Sequence, residues 1–336
     1  MFKKSLVLAV LLLIIGFIFW LLLMFRTPEG KPVNLQIKSG LSGNEVAALL
    51  AKKRIISSPL LFTLFAKFDG VDGKILPGSY LFNEGMSTSD ALKVLARGPK
   101  RKLFKITIPE GFTIDEIGQR LETKTFLNKK EFIELAKNGK NVFPKHPFLK
   151  DIPTSSLEGY LFPKTFVFDS NATPSKFMEI MLEQFGKEAS ALDLTLARQK
   201  NLSLHQVVTI ASLIEKEAKV AEERPLVAAV VYNRLAIGMP LKIDATIQYA
   251  LPERKVRLTK EDLKIESPYN TYVNKGLPPG PIANPGSDSL KAALNPAPVD
   301  YLYYVLTDPA SGRHSFTRDY QEFLKFKRQG KKAIGN

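Results

Sequence analysis

Two glutamates, Glu215 and Glu217, close the most informative stretch of the chain, Ile210-Ala211-Ser212-Leu213-Ile214-Glu215-Lys216-Glu217-Ala218. Val207, Ile210, Ala211, Ile214 and Ala218 recur at helical spacing, which predicts a helix over 204–218 with one face buried. At about 100° per residue the two glutamates fall on opposite shoulders of that apolar stripe. A carboxyl at the edge of an apolar face loses hydration, and its pKa rises. A glutamate kept neutral near pH 7 can serve as a general acid. A carboxylate that is solvated, or paired with Lys216, Lys219 or Arg224, would instead be structural. Spacing alone does not choose between the two glutamates.

Other reactive groups are sparse. The chain has no cysteine, which excludes disulfides, thiolate metal sites and a cysteine nucleophile. His146, His205 and His314 are scattered, with no pair at helical ligand spacing, so neither a metal nor a cofactor is expected. The 48 basic and 33 acidic residues leave a net charge of +15, which favours polyanions such as anionic lipid or an anionic wall polymer. No nucleic-acid-binding motif accompanies that charge, and nucleic acid is not an expected partner.

The elements that must position the glutamates begin with an apolar run from Ser5 to Phe25, flanked by Lys3, Lys4 and Arg26. About 20 apolar residues span the roughly 30 Å hydrocarbon core of a bilayer. The run ends Leu21-Leu22-Leu23-Met24-Phe25 without the small residues of a cleavage site, which predicts an uncleaved anchor. The expected arrangement is a cytoplasmic tail at 1–4, a single transmembrane helix at 5–25 in the inner membrane, and the remainder outside the cytoplasm. Flanking charges nearly balance, so orientation rests on the shortness of the tail.

A strand–Gly turn–helix–helix pattern then occurs twice. Val33–Ile37 alternates like a half-buried strand, with helical patterns at 44–50 and 59–67; Phe104–Ile108 alternates the same way, with helical patterns at 115–121 and 129–137. Gly78–Phe82 predicts a further short strand after a Pro-Gly turn. These βαα units resemble LysM modules, and the predicted domains are LysM-like modules over 33–140 (33–98 and 103–140) and a C-terminal domain over 141–336. In the latter, helices are predicted at 174–192, 204–218, 222–237 and 259–263, a strand at 301–306 and a closing helix at 315–326.

Several longer motifs follow one another in order. They are Leu157-Glu158-Gly159-Tyr160-Leu161-Phe162-Pro163, the glutamate helix, Val230-Val231-Tyr232-Asn233-Arg234-Leu235, the stretch Ile237–Tyr249, Ser267-Pro268-Tyr269-Asn270-Thr271-Tyr272, the stretch Gly276–Gly286, and Ser289-Leu290-Lys291-Ala292-Ala293. This series closely resembles the membrane-anchored endolytic murein transglycosylases, the YceG-like family, over almost the whole chain. The resemblance implies an α+β protein with an N-terminal transmembrane helix, LysM-like βαα modules and a mixed catalytic domain with a helical core. It implies cleavage of the β-1,4 bond between N-acetylmuramic acid and N-acetylglucosamine inside a peptidoglycan strand, without water, leaving a 1,6-anhydro end. Related lytic enzymes place the catalytic glutamate directly before a small residue; Glu217 before Ala218 fits that, with Glu215 the alternative.

Within these motifs Tyr232, Tyr249, Tyr269 and Tyr272 offer flat faces for sugar rings. Asn233, Gln248, Asn270 and Asn284 can donate to and accept from acetamido and hydroxyl groups. Arg234 can meet a carboxylate, and Thr271 and Asp244 complete the expected cleft. Asp244 and Glu158 fit either substrate orientation or a structural role. The expected partners are glycan strands, the membrane and, through the family, peptidoglycan synthases. The competing reading is a non-catalytic peptidoglycan-binding scaffold of the wall-synthesis complex.

Overall fold

The computed structural model describes residues 14–16, 30–38, 40–71, 73–99 and 103–334. The expected tail at 1–4 and, apart from 14–16, the expected anchor at 5–25 lie outside the described residues. Among the described residues no helix is long and apolar enough to cross a membrane. The chain divides into two compact units, Met1–Lys102 and Leu103–Asn336.

The first unit runs β1 (Pro32–Ile37), α1 (Gly43–Lys52), α2 (Pro59–Phe68), β2 (Gly78–Asn83) and α3 (Thr88–Arg97). Each helix starts where the sequence supplies a cap. Ser42 accepts from the Glu45 amide while the Glu45 carboxylate accepts from the Ser42 amide, and Ser58 and Ser87 cap the other two. β1 and β2 pair antiparallel from Pro32↔Asn83 to Ile37↔Gly78. Alternation puts Leu35, Ile37, Tyr80 and Phe82 on one face, where they bury Val46, Leu50, Phe62, Leu92 and Leu95. The predicted strand at Gly78–Phe82 is present, and a third helix follows it.

The second unit runs β3 (Leu103–Thr107), α4 (Ile114–Lys124), α5 (Lys129–Lys137), α6 (Gly139–Val142), β4 (Thr165–Asp169), α7 (Pro174–Ser190), α8 (Thr195–Gln199), α9 (Leu204–Glu217), α10 (Arg224–Ala236), α11 (Asp244–Ala250), α12 (Ser287–Leu294), β5 (Tyr303–Asp308), β6 (Arg313–Thr317) and α13 (Tyr320–Ile334). Its hydrophobic core is continuous from Ile106, Ile117, Leu121 and Phe132 through Phe177 and Leu182 to Val207, Ile210, Val231 and Leu290. Helix α9 lies at the centre, packed on α10, α11 and α12.

The structure differs from the predicted division at 140/141. Residues 103–140 belong to the second unit because β3 finds its partner beyond that point, pairing antiparallel with β4 from Leu103↔Asp169 to Thr107↔Thr165. Leu157 reinforces the join: its amide donates to the Ala136 carbonyl at 2.9 Å, and its side chain fills the space that a Cβ on Gly139 would need. Two predicted helices also change. Over 259–263 there is only a 3₁₀ turn at Asp262–Lys264, held by Thr259 and Lys255 on the Asp262 carboxylate. Residues 315–317 are strand, because Arg313–Thr317 completes a hairpin with β5, and the closing helix starts at Tyr320.

A shared core should melt as one. Ile117→Ala is expected to cost about 2–4 kcal/mol, as for other buried large-to-small changes, and to shift a single unfolding transition of the second unit in chemical denaturation. Separate melting of 103–140 ahead of the rest would contradict the continuous core.

Candidate active site

Ser203 and Gln206 form a capping box at the start of α9, and the helix ends at Glu217, where Ala218 turns extended. Glu217 therefore occupies the last helical turn, at the negative end of the helix dipole, which disfavours a second negative charge. Its Oε2 accepts a hydrogen bond from the Tyr304 hydroxyl of β5 at 2.8 Å. Burial is the main cause that pushes its pKa above the usual carboxylate range, and Asp244 adds to it. The Tyr304 bond, His314 and Arg234 act in the opposite direction.

Glu217 opens onto a cavity of about 590 Å³. Its walls include Thr113, Ile114, Asp115 and Glu116 from the start of α4, Glu158, and Asp244, Gln248 and Tyr249 of α11. Of the other carboxyls in this hollow, Glu158 is buried, at only 5 % exposure. Both its oxygens accept from the Ile114 amide at 3.2 Å, and Oε1 also accepts from Asn284 Nδ2 at 2.9 Å. Burial pushes its pKa up to about 8 despite those donors.

The predicted site residues separate into two groups. Glu217, Asp244, Gln248 and Tyr249 face the cavity. Tyr272 joins them through its hydroxyl, which donates to Asp244 Oδ1, and Tyr269 packs its ring 4.9 Å from that of Tyr249. Gln248 is engaged at both ends with the backbone of Lys255, so it shapes the wall.

The others hold the fold. Tyr232 donates to the Ala293 carbonyl, and Asn233 to the carbonyls of Val299 and Tyr301; both line a separate hollow with Lys200. Arg234 donates to the carbonyls of Leu302 and Leu241. Asn270 ties Leu263, Ile265 and Tyr272, and Thr271 accepts from the Ile243 amide at the start of α11. Asn284 is fully buried: its Oδ1 accepts from Gly159 and Leu161, and its Nδ2 donates to Phe112 and Glu158. With that capacity filled, no group on Asn284 remains for a sugar. Glu215 points elsewhere, accepting from the Gly286 amide at 3.0 Å where α12 begins. Among the described residues no group of His, Asp or Glu is gathered to hold a metal ion.

The YceG-like family model matches residues 35–329. The chain belongs to the YceG-like family. It is 36% identical over 316 residues to an endolytic murein transglycosylase of Bacillus subtilis (strain 168), covering 88% of this chain and 84% of that protein. It is 33% identical over 319 residues to the endolytic murein transglycosylase of Streptococcus pneumoniae serotype 2, covering 87% of this chain and 57% of that longer protein. The crystal structure of a yceG-like protein from Listeria monocytogenes matches with a TM-score of 0.60 at 30% identity, over 88% of this chain and 98% of that one.

Two parts of this YceG-like site escaped the sequence reading. Tyr304 lies in the predicted strand 301–306, but adjacent Tyr303 and Tyr304 point to opposite faces, and nothing local says which meets a carboxyl. The wall at 113–116 sat in a segment assigned to a separate module. The hairpin bearing Tyr304 is itself fixed by Glu223, whose buried carboxylate accepts from the His314 amide at 2.9 Å and meets His314 Nδ1 at 2.7 Å.

A raised Glu217 pKa has a consequence for stability. Between the ordinary and the raised value the folded state holds a proton that the unfolded state has lost, so stability falls as pH rises through that window. Glu217→Gln should therefore unfold at higher denaturant than wild type near pH 7, and the difference should vanish below about pH 4, where both states are protonated. Equal pH dependence of the two proteins would contradict the raised pKa.

Proposed function

We propose that this chain is an endolytic murein transglycosylase in which Glu217 is both acid and base. The observation that carries this reading is the setting of the Glu217 carboxyl: burial favours its protonated form, Tyr304 donates to Oε2, Oε1 has no protein hydrogen bond among the described residues, and the side chain lines the cavity. The relatives named endolytic murein transglycosylase supply the substrate class.

The reaction needs one carboxyl used twice. Glu217 gives its proton to the glycosidic oxygen as the bond from the muramyl anomeric carbon breaks. The muramyl 6-hydroxyl then attacks that carbon, and the carboxylate takes the hydroxyl proton, which closes the 1,6-anhydro ring and restores the acid. No water is consumed. Tyr304 stabilises the intervening carboxylate, because a hydroxyl donor favours the charged form. Hydrolytic glycosidases use a second carboxylate as base or nucleophile. Glu158 and Asp244 are present, but Ile114 and Asn284 engage the oxygens of Glu158 and Tyr272 donates to Asp244 Oδ1, which suits positioning better than attack.

On this reading residues 5–25 anchor the chain in the cell membrane with the N-terminus cytoplasmic, and residues 33–98 form a LysM-like module. The enzyme then meets glycan strands as they emerge, beside the synthases that make them, and ends their elongation. The apolar run and the positive charge support that placement.

Mass spectrometry of purified glycan strands after digestion tests the assignment. Wild type should produce internal cuts ending in 1,6-anhydro-muramic acid. Glu217→Gln should lose at least about 100-fold in rate, as expected for a lost general acid, while Glu215→Gln keeps cleavage because its amide oxygen still accepts from Gly286. Reducing ends would indicate hydrolysis, and binding without cleavage by wild type would favour a scaffold. Tyr304→Phe removes a donor that lowers the Glu217 pKa. It should therefore move the alkaline limb of the pH–rate profile to higher pH and slow turnover by about tenfold, the worth of one charge-assisted hydrogen bond.

A further inference from the structure

Helix α2 of the first unit is apolar on both its inner and its outer face, with Thr63 and Lys67 on one flank between them. Its inner face buries Phe62 and Ala66, as a packed helix should. Its outer face carries Leu60, Leu64 and Phe68, which are 80 %, 64 % and 87 % exposed. Spaced four residues apart, these three fall within an arc of about 80° opposite the buried pair. The neighbouring helices of the same unit differ: α1 turns Asn44, Glu45 and Lys52 outward, and α3 turns out Lys93 and Arg97. A helix that is apolar on two opposite faces belongs against a second apolar phase. The first unit has already closed its core on the other side, so that phase is external to it.

The surroundings select lipid. The apolar run ends at Phe25 and β1 begins at Pro32, so residues 26–31 join them. Six residues reach at most about 20 Å when extended. If 5–25 is the anchor, β1 starts within about 20 Å of the hydrocarbon boundary, which keeps the first unit beside the bilayer surface. Residues 30–99 carry nine basic and five acidic side chains, which matches an anionic surface. Lys67 lies beside the stripe on the same helix, and the helix itself has no acidic residue. A glycan would require amide or carboxylate partners along the stripe, and it has none. We propose that this face of α2 seats the first unit on the bilayer, with Leu60, Leu64 and Phe68 entering the acyl boundary and Lys67 meeting anionic headgroups, in the manner of interfacial helices. This rests on the reading of residues 5–25 as an anchor.

The absence of cysteine makes the test direct. Full-length Leu64→Cys, Phe68→Cys and, as a control on the exposed face of α1, Ala48→Cys are each labelled with a nitroxide and reconstituted in phosphatidylethanolamine–phosphatidylglycerol vesicles. Flotation comes first: a chain that does not rise with the vesicles defeats the anchor reading. For chains that float, collision with oxygen should exceed collision with a water-soluble nickel chelate several-fold at 64 and 68, with the reverse at 48. Nickel access at 64 and 68 equal to that at 48 would overturn the proposal. So would spectral broadening that grows with protein density, which would mean that a second copy covers the stripe, or immobilisation that appears only when glycan strands are added. Circular dichroism of the labelled chains checks that the fold is retained.

Discussion

The second unit depends on the buried side chain of Asn284. Three segments far apart in sequence, at 111–113, 158–161 and 284–286, meet around it, and each presents backbone groups that would otherwise be buried without partners. The backbone of Asn284 continues the seam, accepting from Gly111 and donating to Phe112. Leaving a buried donor or acceptor unmet costs about 1–3 kcal/mol each, so the arrangement is close to all-or-none. Gly159 takes part for a steric reason: at φ +90° it approaches Pro281 so closely that a Cβ would stand 2.4 Å from the ring. Through Glu158 and Ile114 the same seam sets one wall of the cavity.

The opposite wall is set by opposing pressures on Glu217. Burial and the end of α9 favour its neutral form, while Tyr304, His314 and Arg234 restrain the rise. In the proposed reaction the acid must give up a proton and recover it within one turnover, which favours a pKa raised toward neutrality, the direction in which burial moves Glu217. The residues behind it are held as firmly as the acid. Arg234 ties the backbone at Leu241 to that at Leu302, and Glu223 clamps the hairpin.

Local signals in the sequence reached most of the elements and the helix that carries Glu215 and Glu217. The alternation in Val33–Ile37 and Phe104–Ile108 gives β1 and β3, and the stripe from Val207 to Ala218 gives α9 its buried face. What was illegible depended on distant pairing. Nothing in Phe104–Ile108 announces a partner at 165–169, so a strand that belongs to the second unit read as the opening of a separate module. Nor does an asparagine's own sequence say whether its amide meets a ligand or a backbone. Asn233, Asn270 and Asn284 have the chemistry of sugar readers, but in the structure they hold loops. The sequence exposes chemical capacity, and packing decides where that capacity is directed.

The Tyr304–Glu217 hydrogen bond joins residues 87 positions apart in the chain. Glu217 leaves the ribosome long before its hydroxyl partner, and the hairpin that carries Tyr304 closes only after Arg313 has been made. The substrate walls at 113–116, 158 and 244–249 all precede it. Synthesis therefore supplies every residue lining the cavity before the hydroxyl that bonds Glu217, and a chain cut short ahead of the hairpin lacks that donor. The pair is therefore a feature that only the full-length second unit can have, whatever the upstream part of the chain has already folded.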